Sequence, residues 1–228
     1  MTVSDEEKNV HIRYDNVVPK GYHLVVANKV NQYAPSHGKV LDIGCGLGQI
    51  LHRVHELNPT LELFAADIFQ ECLRITSERV GNVRTILMKR DGFDRAGLGE
   101  GYDVCVMSHS LEHMKSPLEA LHNVMSVIRP GGHLILAVPN PVRPQVIICN
   151  LSRSRYVNLG HVYSWDRAHW MNFLENIAGF NVVEYPVDEV QIFPPRISRR
   201  FHLLKQLEKG LSYAFPWFSF SNIAVIRK

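Results

Sequence analysis

From residue 39 the chain alternates two rhythms. Short runs of aliphatic and β-branched residues, KVLDIG, LELFAAD, VRTILM and YDVCVMS, are separated by QILHRVHEL and IFQECLRITSERV, whose apolar residues recur three and four positions apart. The first pattern suits strands buried on both faces and the second suits helices with one buried stripe, so the alternation predicts βαβ units of a parallel sheet. The next helix carries its own punctuation. Ser116, Pro117 and Glu119 supply an N-cap, a first-turn proline and a capping-box acid, while Leu118, Leu121, Val124, Met125 and Ile128 share one face. It should stop at RPGG, where proline and glycine turn the chain into HLILAV, a fifth strand apolar enough for the sheet centre.

After Pro139 the rhythm breaks into a proline-containing loop or short helix, a place where insertions tend to shape binding sites. Ser164 should then cap a helix running through Ala178 and ended by Gly179, with NVVEYPV as a sixth strand. The expected organisation is one α/β domain over residues 1–228. It comprises an N-terminal helical cover (1–37, with a helix around Tyr22 to Tyr33), a core (38–187), a basic helical lid (188–218) and a last strand (219–228). The sheet should be doubly wound, of about seven strands, mostly parallel with an antiparallel last strand and helices on both faces.

Composition narrows the function classes. At 228 residues and 46% hydrophobic the chain can build one sizeable core. No apolar run approaches the roughly 18 residues of a transmembrane span, and the acidic opening MTVSDEEKN is unlike a signal peptide, so the expectation is a cytoplasmic protein. Cys45, Cys72, Cys105 and Cys149 are far apart with no CxxC pair, which points to structural thiols and away from a disulfide framework or zinc knuckle. The net charge of +3 is uneven: residues 188–228 carry +4 and the rest −1. That is too little for a dedicated nucleic-acid binder, and leaves room for an acidic partner or a membrane surface at the tail.

The densest local signal is VLDIGCGLGQI, residues 40–50, a strand running into a glycine-rich turn and a helix. Gly44, Gly46 and Gly48 let backbone approach a ligand with no Cβ in the way, and their GxGxG spacing differs from the GxGxxG of dinucleotide-binding folds. Asp67, about 20 residues on at the end of the second strand, stands where a carboxylate can accept both hydroxyls of a ribose. Taken singly, each residue also fits a bland role: a tight turn, a helix cap at Asp67, a turn acid at Asp91 before Gly92. Together they all fall at the carboxyl ends of successive strands, the edge where open α/β sheets bind ligands.

The order VLDIGCGLGQ, FAAD, KRDGFD, YDVCVMSHSLEHM, VIRPGGHLILAVPN resembles the class I S-adenosylmethionine-dependent methyltransferases, in particular the broad group containing the ubiquinone O-methyltransferases. The resemblance covers residues 38 to 187 and implies a Rossmann-like fold. It also implies that Asp42, Gly44, Gly46 and Gly48 hold the methionine part of the cofactor, that Cys45 is among the cofactor-binding residues, and that Asp67 takes the ribose hydroxyls, with Ile68 against the adenine. Asp91 would accept from the adenine amino group, Gly92 would lie beside it, and Ser108 would border the methionine carboxylate or amine.

A second constellation, MSHSLEHM at residues 107–114, follows the fourth strand on that same edge. In a helical turn His109, Glu112 and His113 share one face. Related ubiquinone and small-RNA ribose 2'-O-methyltransferases use two carboxylates and a histidine in a similar run to hold a divalent metal. Here His109 replaces a carboxylate, which suits zinc, manganese, iron or cobalt better than magnesium. His161, before the capped helix, resembles the segment that donates the last metal histidine in the small-RNA enzymes. Metal binding, metal-free acid/base work and structural hydrogen bonding all remain open for these four residues.

Methyl transfer needs alignment of nucleophile, methyl and sulfur, exclusion of water, and removal of a proton from a hydroxyl acceptor, for which His113 or His109 is the candidate base. The acceptor expected is a small molecule, a glycan or a lipid-linked hydroxyl, held by residues 1–35, 140–163 and 188–218. Arg199, Arg200, Lys205 and Lys209 lie beside Phe201, Leu203, Leu204, Leu207 and Trp217, which suits a lid or a weak membrane-surface contact through residues 196–218. The alternatives are a non-catalytic S-adenosylmethionine-binding scaffold or regulator and an RNA ribose 2'-O-methyltransferase.

Overall fold

The computed structural model describes residues 20–89, 95–152, 160–190, 192 and 202–228. In chain order these form α1 (Gly21–Tyr33), β1 (Lys39–Ile43), α2 (Gln49–Leu57), β2 (Glu62–Asp67), α3 (Gln70–Val80), β3 (Val83–Leu87) and the single turn α4 (Arg95–Leu98). They continue with β4 (Tyr102–Ser108), a tight turn (Leu111–His113), α5 (Pro117–Val127), β5 (Ile128–Pro139), α6 (Pro144–Ser152) and α7 (Arg167–Asn172). After β6 (Asn181–Glu184) come α8 (His202–Ala214), a second tight turn (Pro216–Phe218) and β7 (Ser221–Arg227).

The seven strands lie in the order β3-β2-β1-β4-β5-β7-β6. The pairs from β3 to β5 are parallel, and β7 runs antiparallel between β5 and β6, as the sequence predicts. Alternate residues of the central strands feed opposite layers, the two-residue period of a strand. Val40, Val104, Val106, Ile135 and Val225 pack with Val26 and Val30 of α1, Leu51 and Val54 of α2, and Leu73 of α3. Leu41, Ile43, Cys105, Met107, Leu134 and Leu136 pack on the other side with Leu121 and Val124 of α5 and with Trp170 and Leu174. Helices therefore cover both faces, and the strand order reverses between β1 and β4, which opens a crevice at their carboxyl ends.

Three local expectations are corrected. Ser116 occupies the N-cap of α5 at φ −125°, ψ 76° but makes no side-chain cap bond, and Pro117 in the first turn already removes one N–H that a cap would serve. The cap of α7 is Asp166, not Ser164: its carboxylate accepts from the His169 N–H at 3.0 Å, and the helix widens into an i→i+5 turn over Phe173–Ile177. Ile128 leaves the α5 stripe to begin β5 against Tyr102, so RPGG is a kink inside an edge of the strand, closed by the Gly131 N–H donating to the Lys228 carbonyl. Among the described residues no helix is long and apolar enough to cross a membrane. All four cysteines are free, and Cys45, Cys72 and Cys105 are buried.

Candidate active site

The glycine turn connects β1 to α2 through three left-handed residues, Gly44 (φ 74°), Gly46 (φ 54°) and Gly48 (φ 72°). A Cβ on Gly44 would stand 2.6 Å from the Cβ of Ser110, and one on Gly48 would stand 2.8 Å from Thr76 Cγ2. At Gly46 it would meet nothing within 4 Å, so the middle of the turn presents bare backbone to open space. The turn is braced from α3: the Thr76 hydroxyl donates to the Gly46 carbonyl at 3.0 Å and Arg79 Nη1 donates to the Leu47 carbonyl at 2.7 Å.

Two acids flank this turn. Asp67 ends β2 and accepts from the N–H groups of Gly46 and Phe69, both at 3.0 Å. Asp42 is 1% exposed, and neither of its carboxylate oxygens has a hydrogen-bond partner. Burial, then the Asp67 charge, pushes Asp42 up to about 7, while burial outweighs the backbone bonds and raises Asp67. Two buried carboxyl groups, one of them with both oxygens unpartnered, suit a ligand bearing a cation or several hydroxyl and amine donors. The Cys45 thiol is pushed well above its usual value by burial and by these acids, which makes it an inert lining group. Ile68, 39% exposed, offers an apolar face beyond β2, and the buried Ser108 Oγ at the end of β4 has no partner. Asp91 and Gly92 lie outside the described residues.

Beside the turn, after β4, His109 adopts a left-handed conformation (φ 54°) while its N–H donates to the Ala137 carbonyl at 2.8 Å. A non-glycine residue there is strained and is retained where the surroundings fix it. The following turn buries Glu112 to 1% exposure with both carboxylate oxygens unpartnered, and burial pushes it up to about 8. Three imidazole nitrogens surround Glu112 Oε1: His109 Nδ1 at 3.9 Å, His113 Nε2 at 3.9 Å and His161 Nε2 at 3.8 Å. These separations are too long for hydrogen bonds. The structure therefore brings all four sequence candidates together, with Glu112, His113 and His161 close enough to share one ion and His109 Nδ1 3.9 Å from the same Glu112 oxygen but outside that group.

The half-exposed ring of His113 has a defined tautomer. Its Nδ1 lies 2.7 Å from the Gly160 carbonyl, which can only accept, so Nδ1 carries a proton and, in the neutral ring, the lone pair is left on Nε2. His161 is lowered by burial and then by the charges of His113 and Arg143; His109 is lowered well below 6.5 by burial, then by Lys20 and Arg143. The lowered His109 and His161 favour neutral imidazoles, which beside the raised Glu112 can accept a proton or ligate a cation.

Several supporting residues escape sequence reasoning. Ser110 donates to the Ile43 carbonyl at 3.1 Å, and Tyr22 stacks on His109 with ring centroids 4.3 Å apart. Ser221 meets His109 Nε2 at 2.9 Å. Ser110 stands inside the segment singled out above; Tyr22 and Ser221 are distant in sequence and carry no local signal.

A methyltransferase-domain family profile matches residues 21–185. The chain is similar to malonyl-[acyl-carrier protein] O-methyltransferase of Bacillus cereus, 24% identical over 126 residues that make up 55% of this chain and 46% of that protein. It is also similar to the mitochondrial 2-methoxy-6-polyprenyl-1,4-benzoquinol methylase of Caenorhabditis elegans, 26% identical over 199 residues, 78% of this chain and 69% of that protein. The chain spans about half the length of the Bacillus relatives it matches, 46% in each. Among solved structures, magnesium protoporphyrin IX methyltransferase from Synechocystis PCC 6803 with bound SAH shares the fold, with a TM-score of 0.63, 14% identity, and coverage of 98% of this chain and 93% of that one.

Proposed function

This chain belongs to the class I S-adenosylmethionine-dependent methyltransferase family, and on that premise we propose that it moves a methyl group to a hydroxyl of a small-molecule, glycan or lipid-linked acceptor. The carrying observation is the convergence of His109, His113 and His161 on the buried, unpartnered Glu112 beside the crevice between β1 and β4. The cofactor fits the other half of the crevice: unused oxygens of Asp42, the Asp67 carboxylate, the free Ser108 Oγ and the open backbone of Gly46 match a ligand with a cationic amine and ribose hydroxyls. When bound, S-adenosylmethionine supplies an activated methyl on a sulfonium. Asp42 would hold the amine, Asp67 the ribose hydroxyls and Ile68 the adenine face; Asp91 and Gly92 are assigned to the adenine edge on the resemblance alone. His113, with its Nε2 lone pair, would take the proton of the acceptor hydroxyl.

The same cluster supports a second reading. Unpartnered Glu112 oxygens among imidazole nitrogens 3.8–3.9 Å away suit a zinc-, manganese-, iron- or cobalt-type ion on Glu112, His113 and His161, which would lower the pKa of a bound hydroxyl. Apolar residues on the outer helices, Leu151 (84% exposed) on α6 and Leu203 (83% exposed) on α8, favour a lipid-linked acceptor met at a membrane surface from the cytoplasm. Nothing in the cluster favours nucleic acid.

The test is incubation of the protein with methyl-labelled cofactor and cell extract, with and without a chelator. A labelled, non-nucleic-acid product carrying the methyl on oxygen is expected. Tight cofactor binding with no labelled product would favour the scaffold alternative, label on RNA ribose would favour that one, and loss of label with chelator restored by a transition metal would establish the second reading.

A further inference from the structure

Two cations meet on one ring beside the histidine cluster. Lys20 Nζ lies 5.5 Å from the centre of the Phe220 ring, and Arg143 Cζ lies 4.1 Å from the same centre. Phe220 stacks on Tyr22 at 5.8 Å and stands 6.1 Å from His109, so both charges border the cluster. Buried hydrogen bonds fix the placement. Asn140 donates through Nδ2 to the carbonyls of Trp217 and Ser219 at 2.7 and 2.8 Å and accepts from the Val142 N–H at 3.0 Å, which ties the segment carrying Arg143 to the one carrying Phe220. Lys20 is the N-cap of α1, where its N–H donates to His23 Nδ1 at 3.2 Å.

Two like charges sharing one ring repel each other. Burial, then the Arg143 charge, lowers the Lys20 ammonium. A cation at a helix start also opposes the helix dipole, and neither α1, after Lys20, nor α6, after Arg143, has an acid in its first turn. Among the described residues Lys20 forms no ion pair with a carboxylate. The two acids of the neighbouring segment point elsewhere: buried Asp188 accepts from the N–H groups of Phe220 and Ser221, and the Glu189 side chain lies against Gly21.

The place of the pair in the sheet selects the ligand that would offset it. Pro139 pairs with Ser221, so the end of β5 and the start of β7 share the carboxyl edge. The glycine turn follows β1, two strands from β5 in the order β1-β4-β5-β7, and the histidines after β4 stand between. The cations therefore lie across the histidines from the half of the crevice that suits the cofactor. We propose that Lys20 and Arg143 bind an anionic group of the methyl acceptor, a phosphate or carboxylate carried by the same molecule as its hydroxyl. The guanidinium offers a fork of donors to two oxygens and the ammonium adds a point charge. Holding that charge fixes one end of the acceptor and leaves the hydroxyl to be aligned beside the histidines.

The inference rests on the methyl-transfer reading above, and its first readout needs no turnover. Calorimetric titration of the full-length protein, saturated with S-adenosylmethionine, with inorganic phosphate should show binding that Lys20→Gln and Arg143→Gln each weaken about tenfold, the worth of one charge-assisted contact. Arg143→Lys, which keeps the charge, should lose less. Lys39→Gln, the same charge change at the amino end of β1, should bind phosphate as the parent does. Affinity for S-adenosylmethionine should be unchanged in all four variants. A parent that binds no phosphate, or neutralised variants that bind it equally well, would overturn the anion site. A parallel fall in cofactor affinity would assign the cations to the cofactor's carboxylate and overturn the acceptor assignment. The labelled product from cell extract should be retained by an anion exchanger, and a neutral product would likewise overturn that assignment. Loss of retention after phosphatase treatment marks a phosphate monoester, and persistence marks a carboxylate or a phosphodiester. Should phosphate binding depend on both cations while no labelled product forms, the anion site stands and the methyl-transfer reading fails.

Discussion

The two halves of the crevice are made of different material. The half around the glycine turn, proposed above for the cofactor, rests largely on local backbone: three left-handed glycines, the N–H of Gly46 on Asp67, and carbonyls held by Thr76 and Arg79, all within residues 42–79. The histidine half is built from side chains that meet only in three dimensions: residues 109–113 after β4, Gly160 and His161 before α7, Tyr22 on α1 and Ser221 on β7. A backbone-made site tolerates little change at its own positions and owes little to distant ones. A side-chain-made site can be retuned from far away, through distant residues that touch its members.

The contrast can be broken most strongly at Glu112. Its carboxyl is raised from 4.5 to about 8, so between those values the folded chain holds a proton that the unfolded chain releases; the associated stability is complete below 4.5 and is lost as pH rises toward 8. Glu112→Gln cannot ionise. Its unfolding free energy, from urea titrations between pH 5 and 8, should gain on the parent by up to roughly 1.4 kcal/mol per pH unit. Parallel stability curves for the two proteins would show that Glu112 is charged in the fold.

His113→Ala should lower methyl transfer about 100-fold or more with cofactor affinity within about twofold, because a general base acts on the reaction and not on the cofactor. Unaltered turnover would remove His113 from the mechanism. The reverse split is expected at the glycine turn. Gly48→Ala places a Cβ 2.8 Å from the fully buried Thr76 in a left-handed conformation, which should cost about 2 kcal/mol of stability and weaken cofactor binding measured by calorimetry. The 15N spectrum of the histidines should stay as in the parent; if it moves, the two halves are less separate than their construction suggests. Smallest of all, Thr76→Val removes the bond to the Gly46 carbonyl and should cost about 1 kcal/mol, with a few-fold loss of cofactor affinity and no change in turnover at saturating cofactor.

The same contrast explains what could be read without coordinates. Strands, their parallel order and the glycine turn follow from residues close in sequence: the two-residue period of VCVM, the spacing of Gly44, Gly46 and Gly48, and Asp67 at a strand end. The nearness of His109, Glu112 and His113 was equally local. What stayed hidden is everything that gives those side chains a protonation state. Glu112 is tied down by the segment around Val162, where the N–H groups of Val162 and Tyr163 donate to its carbonyl, and the proton on His113 Nδ1 depends on one carbonyl, Gly160. Helix caps were half legible. Both Ser164 and Asp166 fit a cap by type, and only the backbone turn decides that Asp166 reaches the His169 N–H.

Gly44 belongs to both halves at once. Because it lacks a Cβ, Ser110 can close to a position 2.6 Å from where that atom would be and tie itself to the Ile43 carbonyl at 3.1 Å. Ser110 in turn sits between His109 and the Glu112 turn. For anyone grafting the histidine segment onto another scaffold, the unit of transplantation is therefore larger than MSHSLEHM. A donor loop installed opposite alanine would be pushed out of register with its new host, and the recipient has to supply a glycine just past the end of the neighbouring strand before the histidines can be seated at all.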